Sequence, residues 1–404
     1  MRVLVCLYTM EIGGSQINAI EIGAAVSKRG HEVIIYGPDG ELRDMVRELD
    51  LEFVQAPSRD SPRLSIRHMR ALADTVRCRR VDLVHAYEAA PILDAAYGTH
   101  LWRATPLVGT VMSMSVSKYL PTHLPLIVGT AEIAEGERPR RRSVDLLEPP
   151  VDTKANAPAA DSTAARAQLD IADSDIAVVV VSRLVPSLKQ EGILAAVAAV
   201  RMIGGEHPDV RLVVVGDGPS RESIRRAAVQ TNAILGRQAV TLAGQMFDPR
   251  AAYAAADIVL GMGGSALRAL AFAKPVVVQG ERGFWELATP QSLDIFLRQG
   301  WYGIGDGSDG APRLASILAD LAAAPERRRA LGEFGREVVT TYFSLEQAAK
   351  RQVEIYEGAL RTRQSASRRF MAMCETSVHY AWFRARWLRQ VAGRFRRGRP
   401  VSGT

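Results

Sequence analysis

Short apolar runs recur along the chain, and between them apolar positions return at the three-to-four-residue spacing of amphipathic helices. That alternation marks parallel α/β layers, whose strands are buried on both faces. The runs predict a first set of strands at Val3–Tyr8, Glu32–Tyr36, Val81–Ala86, Pro106–Val111 and Leu124–Val128. A second set is predicted at Ile176–Ser182, Val210–Gly216, Ala239–Ala243, Asp257–Gly261 and Pro275–Gln279. Between the sets, Glu148 to Ala172 is rich in Pro, Ala, Asp and Thr and reads as a linker. The expected architecture is α/β, with two similar doubly wound domains facing across a cleft. In such sheets ligands sit at the carboxyl ends of the strands. The expected domains are residues 1–160 and 161–344.

Helical spacing continues over Ala311–Ala324, Pro325–Thr341 and Leu345–Leu360. From residue 361 to 404 the composition changes. Tyr380, Phe383, Trp387, Val391 and Phe395 recur at helical spacing, with Arg384, Arg386, Arg389, Arg394 and Arg396 among them. The pattern predicts a basic amphipathic helix with aromatics on its apolar side.

Charge sharpens this division. The net charge is +7, yet residues 361–404 hold eleven Arg against one acid, Glu375. The remaining residues carry 40 Lys+Arg and 43 Asp+Glu, so the body is mildly acidic. A negatively charged partner is implied for the tail and not for the fold. Trp382, Phe383 and Trp387 among the arginines favour an anionic membrane surface over a merely flexible basic end. No recognised nucleic-acid-binding pattern accompanies the charge, and no nucleic acid is expected. Cys6, Cys78 and Cys374 are far apart and outside any metal-ligand spacing, as expected of reduced thiols in a cytoplasmic chain. The N-terminal MRVLVCLY reads as a strand, and no apolar run approaches the roughly 20 residues of a membrane span.

Four stretches carry candidate chemistry. In EIGGSQ, Gly13 and Gly14 let the backbone approach a ligand ahead of a helix N-terminus; a plain strand–helix turn is the alternative. In SRLVPSLKQEG, Arg183 and Lys189 follow a buried strand six residues apart and can converge on a diphosphate; the alternative is two solvated charges. VVVGDGPSRES brings Gly216 and Gly218 to a strand–helix turn, with Ser220 as a cap, either structural or nucleotide-facing. It lacks GxGxxG spacing, which disfavours a nicotinamide-dependent oxidoreductase. LGMGGSALRALAFAKP offers free N–H groups from about Gly263 through Gly264 and Ser265 to Leu267, with Arg268 expected in the first turn of the helix that follows.

Taken in order, these stretches resemble the family 4 glycosyltransferases of the GT-B fold, two Rossmann-like domains, over roughly residues 1–360. The resemblance rests on GGSQ after the first strand, RGHEVIIYG, VDLVHA, SRLVPSLK, VVVGDGP, AAADIVLGMG and ALAFAKPVVV together. It implies retaining transfer from a nucleotide-diphospho-sugar donor to an acceptor the sequence leaves unidentified. It implies no metal and no cofactor, the donor mainly on the second domain and the acceptor mainly on the first. A last helix, residues 345–360, is implied to cross back to the first domain. Gly13 and Gly14 would face the donor's distal phosphate. Arg183 and Lys189 would act as the catalytic pair, neutralising the departing diphosphate.

Two departures stand out. The family's two glutamates, eight positions apart around a Gly-aromatic-Gly turn, are replaced by Leu260 and Arg268. A histidine common after the strand PLVGTVM is replaced by Met112 or Ser113. In an active enzyme Arg268 would become a phosphate or carboxylate ligand, and Glu281 in QGERGFWEL would take a ribose or sugar hydroxyl. The alternative is a GT-B sugar-nucleotide-binding or scaffold protein without catalysis. A nucleotide-sugar epimerase ranks last, lacking an evident acid/base pair. The active reading implies envelope polysaccharide, glycolipid or glycoside synthesis, cytoplasmic and peripheral on the inner membrane face. His85 reads as a packed or capping histidine. Asp173-Ser174-Asp175 reads as a solvated turn, and Arg138, Arg140, Arg141 and Arg142 as an exposed loop.

Overall fold

The computed structural model describes residues 1–59, 64–158, 161–246, 248–362 and 365–395. The chain divides into two compact units, Met1–Leu147 with Ala348–Thr404, and Glu148–Gln347. The first holds seven parallel strands: β1 (Arg2–Cys6), β2 (Glu32–Gly37), β3 (Glu52–Gln55), β4 (Leu83–Tyr87), β5 (Leu107–Val111), β6 (Leu126–Val128) and β7 (Val144–Leu146). Their order is β3-β2-β1-β4-β5-β6-β7, so the winding reverses between β1 and β4. The second unit holds β8 (Ile176–Val181), β9 (Val210–Val215), β10 (Val240–Gly244), β11 (Ile258–Gly261), β12 (Val276–Gln279) and β13 (Trp285–Leu287). Their order is β10-β9-β8-β11-β12-β13, with the reversal between β8 and β11 and only β13 antiparallel.

Each of the ten predicted strands is present. The central ones are near-continuous Val/Ile/Leu runs because helices cover both faces. In β8, Val178 and Val180 enter the core on one face, while Ala177 and Val179 enter the core on the other. This is the two-residue period of a strand.

The predicted linker is not a linker. Val151, Leu169 and Ile171 are buried in the second unit's core, and residues Thr163–Gln168 form a helix. The Arg336 guanidinium donates to the carbonyls of Thr153 and Asn156 at 2.7 and 2.8 Å. The unit boundary therefore falls at Leu147/Glu148 and not at 160. Composition misled here because these three core residues are isolated among largely exposed Ala, Asp and Thr.

Helix Leu345–Arg361 buries Ala348, Ala349, Gln352, Ile355, Tyr356 and Ala359, and from Ala348 onward it groups with the first unit. Tyr356 Oη lies 2.7 Å from His85 Nδ1, and His85 Nε2 lies 2.6 Å from Thr110 Oγ1. Burial lowers the imidazole pKa to about 3, so His85 is a neutral bridge between β4, β5 and this helix.

The terminal helix, Ala366–Phe395, corrects the tail reading. Arg369, Met373 and Thr376 are buried, and Met373 joins the first unit's core. Tyr380 and Phe383 pack on Tyr119, with ring centroids 5.4 and 4.6 Å apart. Tyr97 and Ser377 share a 2.7 Å hydrogen bond. The predicted apolar side thus begins as a docking face for the protein itself. A second apolar stripe, Met371, Val378 and Trp382, each over 60% exposed, lies on the opposite side. Side chains from Gln390 on, including Val391, Arg394 and Phe395, lie outside the described residues, as does Arg396. Among the described residues no helix is long and apolar enough to cross a membrane.

Candidate active site

The candidate residues of the second unit gather at the carboxyl ends of its strands, where an open parallel sheet binds ligands at the reversal of strand order. Two residues beyond β8, Arg183 leaves the sheet exposed, and Lys189 follows half-buried at the start of helix Gln190–Ile203. Desolvation, with Arg183 nearby, brings the Lys189 ammonium down to about 8. Among the described residues neither side chain has a hydrogen-bond or ion-pair partner. Two neighbouring cations, one half-buried, are an arrangement that a polyanion would relieve.

The turn carrying Lys189 is fixed from behind. Leu188 takes a left-handed φ of 67°. Gln279, at the end of β12 and 2% exposed, donates its amide to the carbonyls of Leu188 and Lys189 at 3.2 and 3.3 Å. A Cβ on Gly192 would fall 2.2 Å from that amide, so only glycine fits there. The Glu191 carboxylate accepts from the backbone N–H of Arg282 and Gly283 at 3.2 and 2.7 Å. Glu191 and Gln279 thereby join the Lys189 turn to the Glu281 turn. Sequence reading missed both, because their partners are distant backbone groups.

Glu281 is half-buried after β12 and accepts from Tyr302 Oη at 2.5 Å. The same segment reaches the glycine-rich turn, where Gly263 N–H donates to the Trp301 carbonyl at 2.6 Å. Gly263 has φ 53° and ψ −130°. The Ser265 hydroxyl donates to the Met262 carbonyl at 3.0 Å and accepts from Met262 N–H at 3.1 Å, so it chiefly holds the turn.

Arg268 is not in the first turn of its helix. The helix is Gly264–Ala271, and Arg268 lies in its last turn, where a cation suits the dipole. Helical side chains lean toward the N-terminus. A Cβ on Gly264 would lie 3.7 Å from Arg268 Nη1, so the guanidinium reaches back over the helix start. Leu260 is fully buried in the core and offers no polar group.

Gly216 and Gly218 have another reason to be glycine. With φ of 141° and 149°, a Cβ on each would fall 1.8 Å from the Ser182 carbonyl and 2.4 Å from the Leu184 carbonyl. They let the β9 turn pack directly on the segment that carries Arg183. Ser220 is not a side-chain cap; its hydroxyl donates to Gln190 Oε1 at 2.6 Å.

In the first unit, Gly13 and Gly14 open helix Gly14–Ser27 at the end of β1. Gly13 is extended, at φ −161°, and Gly14 has open space where a Cβ would be. Neither glycine is required by backbone strain. Across the strand reversal stands a residue the sequence reading passed over, Glu88, directly after β4. It has φ 67° and ψ 170°, a region essentially reserved for glycine and costing about 1–3 kcal/mol elsewhere. Its carboxylate accepts from Met112 N–H at 3.0 Å and Ser113 Oγ at 2.7 Å, on the segment that lacks the expected histidine. An acid immediately after a buried strand was the available signal.

Two bland readings also change. Asp175 is no solvated turn: it accepts from Ala172 N–H at 2.8 Å and pairs with Arg211 at 3.0 Å. Arg141 is 7% exposed, paired with Glu137 at 2.6 Å and donating to the Pro121 carbonyl. Among the described residues no group of three or more His, Cys, Asp or Glu is placed to hold a metal ion.

Residues 12–132 match the model of Glycosyltransferase Family 4, and residues 175–300 match that of Glycosyl transferases group 1. Each of the two units thus carries a match to a glycosyltransferase model. A relative from Corynebacterium glutamicum, a GDP-mannose-dependent monoacylated alpha-(1-6)-phosphatidylinositol monomannoside mannosyltransferase, is 30% identical over 51% of this chain and 54% of its own. A D-inositol 3-phosphate glycosyltransferase from Segniliparus rotundus is 31% identical over 54% of this chain and 48% of its own. The chain thus spans about half the length of the curated relatives it matches. Among solved structures, Anabaena Alr3699/HepE in complex with UDP-glucose is 16% identical with a TM-score of 0.70, covering 89% of this chain and 100% of that one. A Rickettsia africae glycosyltransferase is 16% identical with a TM-score of 0.69, covering 89% and 99%. At these identities the likeness is one of fold, and that fold is GT-B.

Proposed function

We propose that this chain is a family 4 glycosyltransferase that moves a sugar from a nucleotide-diphospho-sugar to a hydroxyl acceptor, with retention and without a resident metal. The observation that carries the reading is the Arg183/Lys189 pair, two neighbouring cations without a partner among the described residues, at the strand reversal of the second sheet. They neutralise the diphosphate as its bond to the sugar breaks. The freed phosphate oxygen takes the proton of the attacking hydroxyl on the same face, so no side-chain base is needed. Of the glycine-rich turn, Gly264 is left to supply a backbone N–H group to the donor, because the N–H groups of Gly263, Ser265 and Leu267, expected to be free, already donate to the carbonyls of Trp301, Met262 and Gly263. Arg268 binds a negative group of it, and Glu281, steadied by Tyr302, binds a hydroxyl. The solved HepE complex contains UDP-glucose, which supports a donor of this class.

Absence of the two glutamates favours a second reading, a sugar-nucleotide-binding protein without turnover. A thermal-shift screen against UDP-, GDP-, ADP- and TDP-sugars, followed by donor-hydrolysis and transfer assays, tests both readings. The transfer reading expects one donor to raise Tm by mass action and to be consumed. It also expects Arg268→Ala to weaken that donor by about tenfold, roughly 1.4 kcal/mol. Stabilisation without consumption favours the second reading. Unchanged donor binding in Arg268→Ala returns Arg268 to a structural ion pair.

The terminal helix supports a peripheral position on an anionic membrane face. Its outward stripe of Met371, Val378 and Trp382 is flanked by arginines, with Arg386 over the Trp382 ring at 5.5 Å. Aromatics beside arginines suit an anionic lipid interface. The corynebacterial relative's named substrate is itself a phosphatidylinositol derivative, in keeping with a lipid-linked acceptor.

A further inference from the structure

We propose that Glu88 binds a hydroxyl of the acceptor, and that the acceptor is an uncharged, hydroxyl-rich group where Glu88 meets it. The proposal rests on the transfer reading above. The first sheet reverses its winding between β1 and β4, and the crevice at such a reversal is where an open parallel sheet binds ligands. Glu88 is the first residue beyond β4, one of the two strands at that reversal, and its carboxylate is held from the end of β5.

Three observations set it apart. Its backbone, at φ 67° and ψ 170°, occupies a region that favours glycine, yet the residue is a glutamate. Residues held in this way cluster at binding and catalytic sites. It occupies the N-cap position of helix Ala89–Ala95 but makes no side-chain cap, so capping does not explain it. Instead both carboxylate oxygens are held by neutral donors, Met112 N–H at 3.0 Å and Ser113 Oγ at 2.7 Å. Among the described residues Glu88 has no ion-pair partner, and it is half-buried.

A carboxylate accepts about four hydrogen bonds, and two are filled here. The open capacity accepts O–H donors. With no paired cation, the charge repels phosphate and carboxylate groups. The chemistry therefore selects a neutral polyol, a sugar ring or a cyclitol, over its phosphorylated form at this point.

The test is ligand-observed saturation-transfer NMR on the full chain, titrating myo-inositol, methyl α-D-mannopyranoside, inositol 1-phosphate and mannose 6-phosphate. Wild type is expected to bind at least one neutral probe about tenfold more tightly than its phosphate. Glu88→Gln keeps the carbonyl that Met112 N–H needs but removes the charge. It is expected to lose about tenfold in affinity for the neutral probe and to narrow the preference. Glu88→Gly, which suits the positive φ, is the second variant if the amide perturbs folding, with the same loss expected. Unchanged neutral binding in both variants, a wild-type preference for the phosphates, or no binding of any probe overturns the proposal. Thermal shift with nucleotide sugars on the same samples separates the two readings. Donor binding intact with Glu88 silent removes only this inference, whereas no donor binding to wild type removes the transfer reading.

Discussion

Burial beside Arg183 brings the Lys189 ammonium down to about 8, and this has a consequence for ligand binding. An anion bound beside a lysine raises its pKa again. Below pH 8 the group is protonated in both free and bound protein, so affinity is flat. Above pH 8 binding must take up a proton, and affinity falls as pH rises, by up to about tenfold per unit. Kd for the nucleotide diphosphate selected by the screen, measured at pH 7, 8 and 9, is expected to rise between 8 and 9 in wild type. Lys189→Met is expected to bind more weakly and without that rise. Parallel pH profiles in the two proteins would remove Lys189 from the site. Arg183 and Lys189 were legible in the sequence because cations abutting a buried Val run are conspicuous. Glu191, Gln279 and Tyr302 were not, because each gains its role from a partner far along the chain.

At the scale of elements, the terminal helix has two apolar sides with different partners. Met373, Tyr380 and Phe383 face the first unit, while Met371, Val378 and Trp382 face outward. Helical periodicity detects an apolar face but not what covers it. Deleting 361–404 would uncover the docked side as well, so point changes separate the two. Met371→Glu with Trp382→Glu is expected to abolish cosedimentation with vesicles containing phosphatidylserine while leaving Tm within about 2 °C, as surface changes usually do. Met373→Glu is expected instead to lower stability by about 3 kcal/mol or more, since it buries a charge without a partner. Equal pelleting of wild type and the outward variant would dismiss the membrane-facing role. Among strands, β3, β7 and β13 escaped the sequence reading. The short β3 and β7 are only partly buried, and β13 is an antiparallel addition at a sheet edge, so none has the long Val/Ile run of a central strand.

At the scale of the molecule, each unit repeats one plan. A parallel sheet reverses its winding once, and chemistry-bearing residues stand at that reversal: Gly13, Gly14 and Glu88 in the first, Arg183, Lys189, Gly263 and Arg268 in the second. The two-domain α/β plan was legible because buried parallel strands write themselves as apolar runs. The boundary was not, since Val151, Leu169 and Ile171 are isolated core residues within a stretch of linker-like composition. The central claim is that the second unit's paired cations bind a nucleotide diphosphate. Isothermal titration of UDP, GDP, ADP and TDP into wild type, Arg183→Ala and Lys189→Ala tests it most directly. The account predicts that wild type binds one of them and that each variant weakens it by about 10- to 100-fold, roughly 1.4–2.7 kcal/mol. Equal affinity in all three proteins, or no binding of any of the four to wild type, would contradict it.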